Sequence, residues 1–123
     1  MADLRIHVDD LVVDAEWTDG SPETRNAIAG GLPLSGDAAR WGDELYFSIP
    51  VDVPEENGQV EVPEGAVAYW PRGNALCLFW GPTPQSAGEA PRAASAVDVV
   101  ARIDEPGALD AIDGNARVRV EPA

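Results

Sequence analysis

Alternation of apolar and polar residues sets the character of the chain from its start. Leu4, Ile6 and Val8 are interleaved with Arg5 and His7; Leu11, Val13, Ala15 and Trp17 are interleaved with Val12, Asp14 and Glu16. A period of two sends successive side chains to opposite faces, so each run predicts a half-buried strand, with Asp9-Asp10 between them. The same parity recurs in Leu45, Phe47, Ile49 and Val51 against Glu44, Tyr46 and Ser48. Pro50 lacks an N–H and marks an edge or a bulge there. Asn57-Gly58 is a hairpin signal, followed by a short strand in QVEVPEG. VDVVARID and NARVRVEP predict later strands, the second with Val118 and Val120 inward and Arg117 and Arg119 outward.

Helical patterning is brief. In DGSPETRNAIAGGLP, Ser21 suits the cap and Pro22 the first helical position, where its missing N–H costs nothing. Glu23 favours the positive end of the helix dipole. Gly30-Gly31 predicts the stop, and Pro33 forbids a restart. Pro106 opens one further helical turn in EPGALDAID. Residues 82–97 are rich in Pro, Gly, Ala and Ser without apolar period, and predict a long loop, either a lid or a mobile connection. Seven or eight short strands with one or two short helices predict a single mainly-β domain over residues 1–123. Without long helices between the strands, the expected form is a closed antiparallel β-barrel.

The stretch AVAYWPRGNALCLFWGPTP breaks the alternation. Its strands, AVAYW and NALCLFW, meet at Pro71-Arg72-Gly73, and both parities are apolar: Leu76, Leu78 and Trp80 on one, Ala75, Cys77 and Phe79 on the other. One face must be the core. The other must lie under a helix, a loop, a partner subunit or a ligand, with the 82–97 loop the first candidate. A ligand cleft is expected where Trp70, Pro71 and Arg72 turn out beside Trp41, Glu44 and Tyr46, with Phe79 as a wall. Trp and Tyr offer stacking faces. Arg72, or equally Arg40, either anchors a carboxylate or peptide carbonyl or simply pairs with surface acids.

Charge narrows the setting. The chain carries 22 Asp and Glu against 8 Arg and no Lys, a net charge of −14. Concentrated salt shortens the Debye length to about 3 Å at 1 M, so dense carboxylates there repel weakly while keeping the chain hydrated. A high-salt cytoplasm is the expected environment; an Arg-favouring genome is the plainer alternative. With no basic stripe, neither nucleic acid nor an anionic membrane surface is an expected partner. MADLRIHVDD lacks the features of a signal peptide, and no apolar run is long enough to span a bilayer, so a cytoplasmic protein is expected.

Catalytic and cofactor chemistry finds little support. His7 is the single His and Cys77 the single Cys, so neither a triad nor a His-based metal site is expected, and Cys77 reads as a small buried hydrophobe. Asp9-Asp10, Asp43-Glu44 and Glu55-Glu56 read as solvated surface in so acidic a chain. Asp113-Gly114-Asn115 lacks the alternating ligands of a calcium loop, and GPTP lacks the context of a phosphate loop. No metal and no cofactor are expected.

Three stretches taken together, SPETRNAIAGGLP, RWGDELYFSIPVDV and VAYWPRGNALCLFWGPTP, with ASAVDVVARI after them, resemble the small cyclophilin-like β-barrel family of uncharacterised bacterial and archaeal proteins. The resemblance covers about Leu4 to Val120 and implies a barrel of about eight strands with helices at its ends. Cyclophilins proper are peptidyl-prolyl isomerases that use an Arg and an apolar pocket. Aligned on GDELYFSIP, that Arg position is taken here by Phe47, which has no donor, and the Gln-Phe-Phe stretch falls near Cys77-Leu78-Phe79, without the Gln. The two-faced aromatic hairpin on such a barrel points to a binding module for a small ligand or a proline-containing peptide. A weak isomerase using Arg72 or Arg40, and a structural homodimer joined through the second apolar face, are the alternatives.

Overall fold

The computed structural model describes residues 2–123. Nine strands, β1 (Leu4–Val8), β2 (Leu11–Trp17), β3 (Leu34–Arg40), β4 (Glu44–Ser48), β5 (Gln59–Glu61), β6 (Ala66–Trp70), β7 (Ala75–Phe79), β8 (Arg92–Ile103) and β9 (Ala116–Pro122), accompany one helix, α1 (Pro22–Gly31). Short 3₁₀ turns cover Pro71–Gly73 and Pro106–Ala111. All pairings are antiparallel, in the order β2-β1-β9-β3-β4-β7-β6-β8-β5, and a further β2–β8 pairing joins the ends. Eight strands thus form a ring, with β5 attached outside it on β8.

Closure depends on the length of β8. Its second half pairs with β6, from Tyr69↔Asp98 to Ala66↔Arg102, and with β2, from Ala15↔Ile103 to Trp17↔Ala101. Its first half leaves the ring and pairs with β5, Gln59↔Val97 and Glu61↔Arg92. The ring interior holds one apolar cluster that includes Ile6, Val8, Leu45, Phe47, Tyr69, Leu76, Leu78, Val118 and Val120. A second, smaller cluster lies on the outer face of β6–β7, where Ala66, Ala68, Cys77 and Phe79 meet Val62, Ala93 and Val97. The double-sided apolar patterning of the ribbon has this cause. Its outer face is covered by β5, the segment after it and the first half of β8, all from the same chain.

Local structure departs from the sequence pattern at four places, three of them expectations that need correction. Residues 34–40 form β3, although Ser35, Gly36 and Asp37 interrupt any apolar alternation; the strand is held by pairing with β9 and β4. A Cβ on Gly36 would sit 3.1 Å from the Phe47 ring, a tight contact that a glycine avoids. Asn57-Gly58 makes no hairpin between its neighbours in sequence, since β4 pairs with β3 and β7 and β5 pairs with β8. The loop predicted over 82–97 ends at Pro91, because Arg92–Ile103 is one strand. Finally, α1 runs through Gly30 and Gly31 and stops at Leu32, before Pro33.

Ser21 does not cap α1. Its hydroxyl donates to the buried Asp98 carboxylate at 3.1 Å, and the helix N–H groups of Glu23 and Thr24 donate instead to the Glu56 carboxylate at 3.2 and 2.9 Å. Asp98 also accepts from the Glu56 and Asn57 N–H groups at 3.0 and 2.7 Å. Two acids far apart in sequence therefore tie the 49–58 segment to the start of α1, which buries Thr24 and Ile28 toward the ring.

Candidate functional site

The turn between β3 and β4 sets one wall of a cavity. Gly42 takes a positive φ of 61°. The turn is clamped by backbone bonds: Trp41 N–H to the Glu44 carbonyl, Asp43 N–H to the Pro82 carbonyl, and Trp80 N–H to the Asp43 carbonyl, at 2.9, 2.9 and 3.0 Å. Residues of even number on β4 then face outward, which carries Glu44 and Tyr46 to the outer face beside β7 and the first half of β8. Trp70, at the end of β6, closes the other side. Its ring meets Tyr46 edge-on, with centroids 6.4 Å apart and planes at 82°, and its indole N–H donates to the Ser95 hydroxyl at 2.5 Å. The Trp70 ring is seated on the backbone of Gly73, where an added Cβ would come within 2.4 Å of it.

The cavity so formed has a volume of about 250 Å³. Trp41, Glu44, Tyr46 and Trp70 line it, with Cys77 at its floor and Ala93, Ala94 and Val97 of β8 along one side. Four of the six residues expected at a cleft are therefore brought together. The other two are not. Phe79 is fully buried in the outer cluster, beneath the lining, and Arg72 is exposed on the 3₁₀ turn outside it. Arg40 does not reach it either: its guanidinium donates to the Gly42 and Ile112 carbonyls and to Asp43, and stacks over the Trp80 ring at 5.3 Å. Phe47 is 2 % exposed and points into the ring interior, so the position suggested for a catalytic Arg faces no ligand. Ala93, Ala94 and Val97 were concealed in a stretch that reads as loop; their small size and the Val-rich continuation are the only hints of a strand.

Glu44 is the chemically unusual member. It is 5 % exposed, and its Oε1 accepts no hydrogen bond from the described residues. Burial pushes its carboxyl up from 4.5 to about 7, opposed only in part by the neighbouring Cys77 thiol. The Cys77 thiol is in turn driven well above its ordinary range by burial and by the Glu44 charge. A thiol so held is not a nucleophile. Among the described residues no group of three or more His, Cys, Asp or Glu is placed to hold a metal ion. His7 lies elsewhere, with its Nε2 at 3.0 Å from the Glu121 carboxylate. Among the described residues no helix is long and apolar enough to cross a membrane.

Comparison with known proteins agrees with this architecture. A solution structure of a hypothetical protein from Archaeoglobus fulgidus, AF2241, is 42 % identical, with a TM-score of 0.82 over 99 % of this chain and 95 % of that one. The structure of McbB in complex with tryptophan shares the fold at 15 % identity and a TM-score of 0.68, over 96 % of this chain and 44 % of McbB, so the chain spans less than half of that protein. No curated protein matches the sequence. The sequence pattern of one family, described as Cyclophilin-like, matches residues 2–121, nearly the whole chain. With that match and the ring of strands that accompanies it, the chain belongs to the cyclophilin-like family.

Proposed function

We propose that this chain is a binding module for a small molecule, held in the cavity between the outer face of β4–β7 and the first half of β8. The observation that carries the reading is the lining itself: three aromatic side chains and one buried carboxyl converge on about 250 Å³. Ligand sites are typically concave and mostly apolar, with few polar groups that fix orientation. A volume just under the usual range of about 300–1,000 Å³ favours a compact ligand over a length of peptide. The large planar walls favour a flat or cyclic body that can stack. McbB has been solved with tryptophan, which makes indole compounds a sensible part of any search.

A thermal-shift screen in molar salt tests this, with indoles, phenyl compounds, aliphatic rings, amines, carboxylates and short proline peptides. A true ligand at 100 times its dissociation constant adds about 2.7 kcal/mol of stability. The shift should vanish in Trp70→Ala. A screen in which no compound raises the melting temperature refutes the proposal. Stabilisation by proline peptides alone would replace the small molecule with a peptide.

A further inference from the structure

We propose that the cavity selects a protonated amine carried on a flat or compact apolar body, with the Glu44 carboxylate as its counter-ion and Trp41, Tyr46 and Trp70 around the cation. This inference rests on the small-molecule reading above and names its ligand class.

Glu44 lines the cavity, and its Oε1 is buried and is given no donor by the described residues. A buried carboxylate oxygen left without a donor is costly even with the Cys77 thiol beside the carboxyl, and a ligand that donates to it recovers that cost. No Arg contributes to the lining, and the nearest by sequence, Arg40, is already engaged by Asp43. A counter-charge for the ionised carboxyl would therefore come from the ligand. A hydrogen bond with an ionised partner is about twice as strong as one between neutral groups, and an ammonium donor adds its own charge to the attraction. The walls favour the same sign, because the faces of Trp and Tyr carry negative quadrupole potential and attract ammonium groups.

The state of Glu44 gives this reading a pH signature. Its carboxyl titrates at about 7, whereas an alkylamine keeps its proton up to about 10. Binding to the ionised form should therefore tighten about tenfold from pH 6 to pH 8, as the competent fraction of Glu44 rises. Proton release should accompany binding near pH 6, since the cation draws the carboxyl into its charged form.

Matched ligand pairs decide the matter by titration calorimetry on the full chain in molar salt. Tryptamine is compared with its alcohol analogue, and phenethylamine with phenethyl alcohol, at pH 6 and pH 8. The expected result is that each amine binds at least tenfold tighter than its alcohol at pH 8, with the advantage reduced at pH 6. In Glu44→Gln, which near-UV circular dichroism should show to be folded, the advantage should disappear. The pairs on the unchanged protein stand by themselves if that variant does not fold. Alcohols that match the amines, or an amine advantage indifferent to pH and to Glu44→Gln, would overturn the amine assignment while leaving the binding module intact. If neither these pairs nor any compound of the wider screen binds, both readings fall together.

Discussion

Replacing Glu44 by Gln should make the protein more stable at alkaline pH and change it far less at acidic pH. Gln keeps the shape of the side chain and removes its ionisation. Burial holds the Glu44 carboxyl at about 7, against 4.5 for the ordinary group. Between those values the folded state keeps a proton that the unfolded state has lost. The sign follows from linkage: stability must fall as pH rises through that window, and it levels off above pH 7. At about 1.36 kcal/mol per pH unit, the distance from 4.5 to about 7 amounts to about 3 kcal/mol. Below pH 4.5 the carboxyl is neutral in both states, and its difference from Gln reduces to hydrogen bonding, which is independent of pH. The assay is urea unfolding of both proteins at pH 5 and pH 8.5, in the same salt. Other carboxylates are common to both proteins and cancel in the comparison. The stability of Glu44→Gln relative to the parent should rise by about 2–3 kcal/mol between the two conditions, a little less than the full span because pH 5 lies inside the window. A relative stability equal at both pH values would show that Glu44 is solvated and would refute the account of the cavity.

Glu56 should act in the opposite sense. Its bonds from the Thr24 and Glu23 N–H groups hold it below the ordinary carboxylate range, so its contribution is present above the unfolded value and is lost as pH falls through the folded one; Glu56→Gln should flatten the acid limb of a stability–pH curve. Asp98→Ala removes the acceptor for Ser21 and for two backbone N–H groups and should cost about 3 kcal/mol or more by chemical denaturation; a loss under 1 kcal/mol would show the network to be dispensable. Gly42→Ala combines a positive φ with a Cβ 2.8 Å from the Thr83 backbone, and should destabilise by about 1–3 kcal/mol, visible as a lower melting temperature. Among the described residues Val12 is the one exposed large hydrophobic, so sedimentation in molar salt should report a monomer. In dilute buffer, unscreened repulsion among the carboxylates should lower the melting temperature, and an unchanged value there would refute the high-salt assignment.

Much of this molecule was legible in local pattern. The parity of Leu4–Val8, Leu11–Trp17, Glu44–Ser48 and Ala116–Pro122 predicts strands that the structure contains, and the inward side chains are those of even spacing. Trp41, Glu44, Tyr46 and Trp70 could be nominated together because outward parity on β4 and the end of an apolar ribbon place aromatics where water would otherwise lie. Arg72 and Phe79 were nominated by the same logic and do not line the cavity. Arg72 stands exposed on the Pro71–Gly73 turn, and Phe79 is buried within the outer cluster.

Period and polarity, then, determined which residues prefer the interior, since a side chain's alternation is a property of the strand that carries it. Only tertiary structure decided which strands are neighbours. β3 exists because β9 and β4 offer it partners, β5 answers to β8 and not to the turn before it, and the first half of β8 became a cover for the ribbon. The unmet Oε1 of Glu44 belongs to the same level. A carboxyl's burial depends on groups brought from distant parts of the chain, and no short window of sequence contains both Glu44 and the β8 residues that line the same cavity.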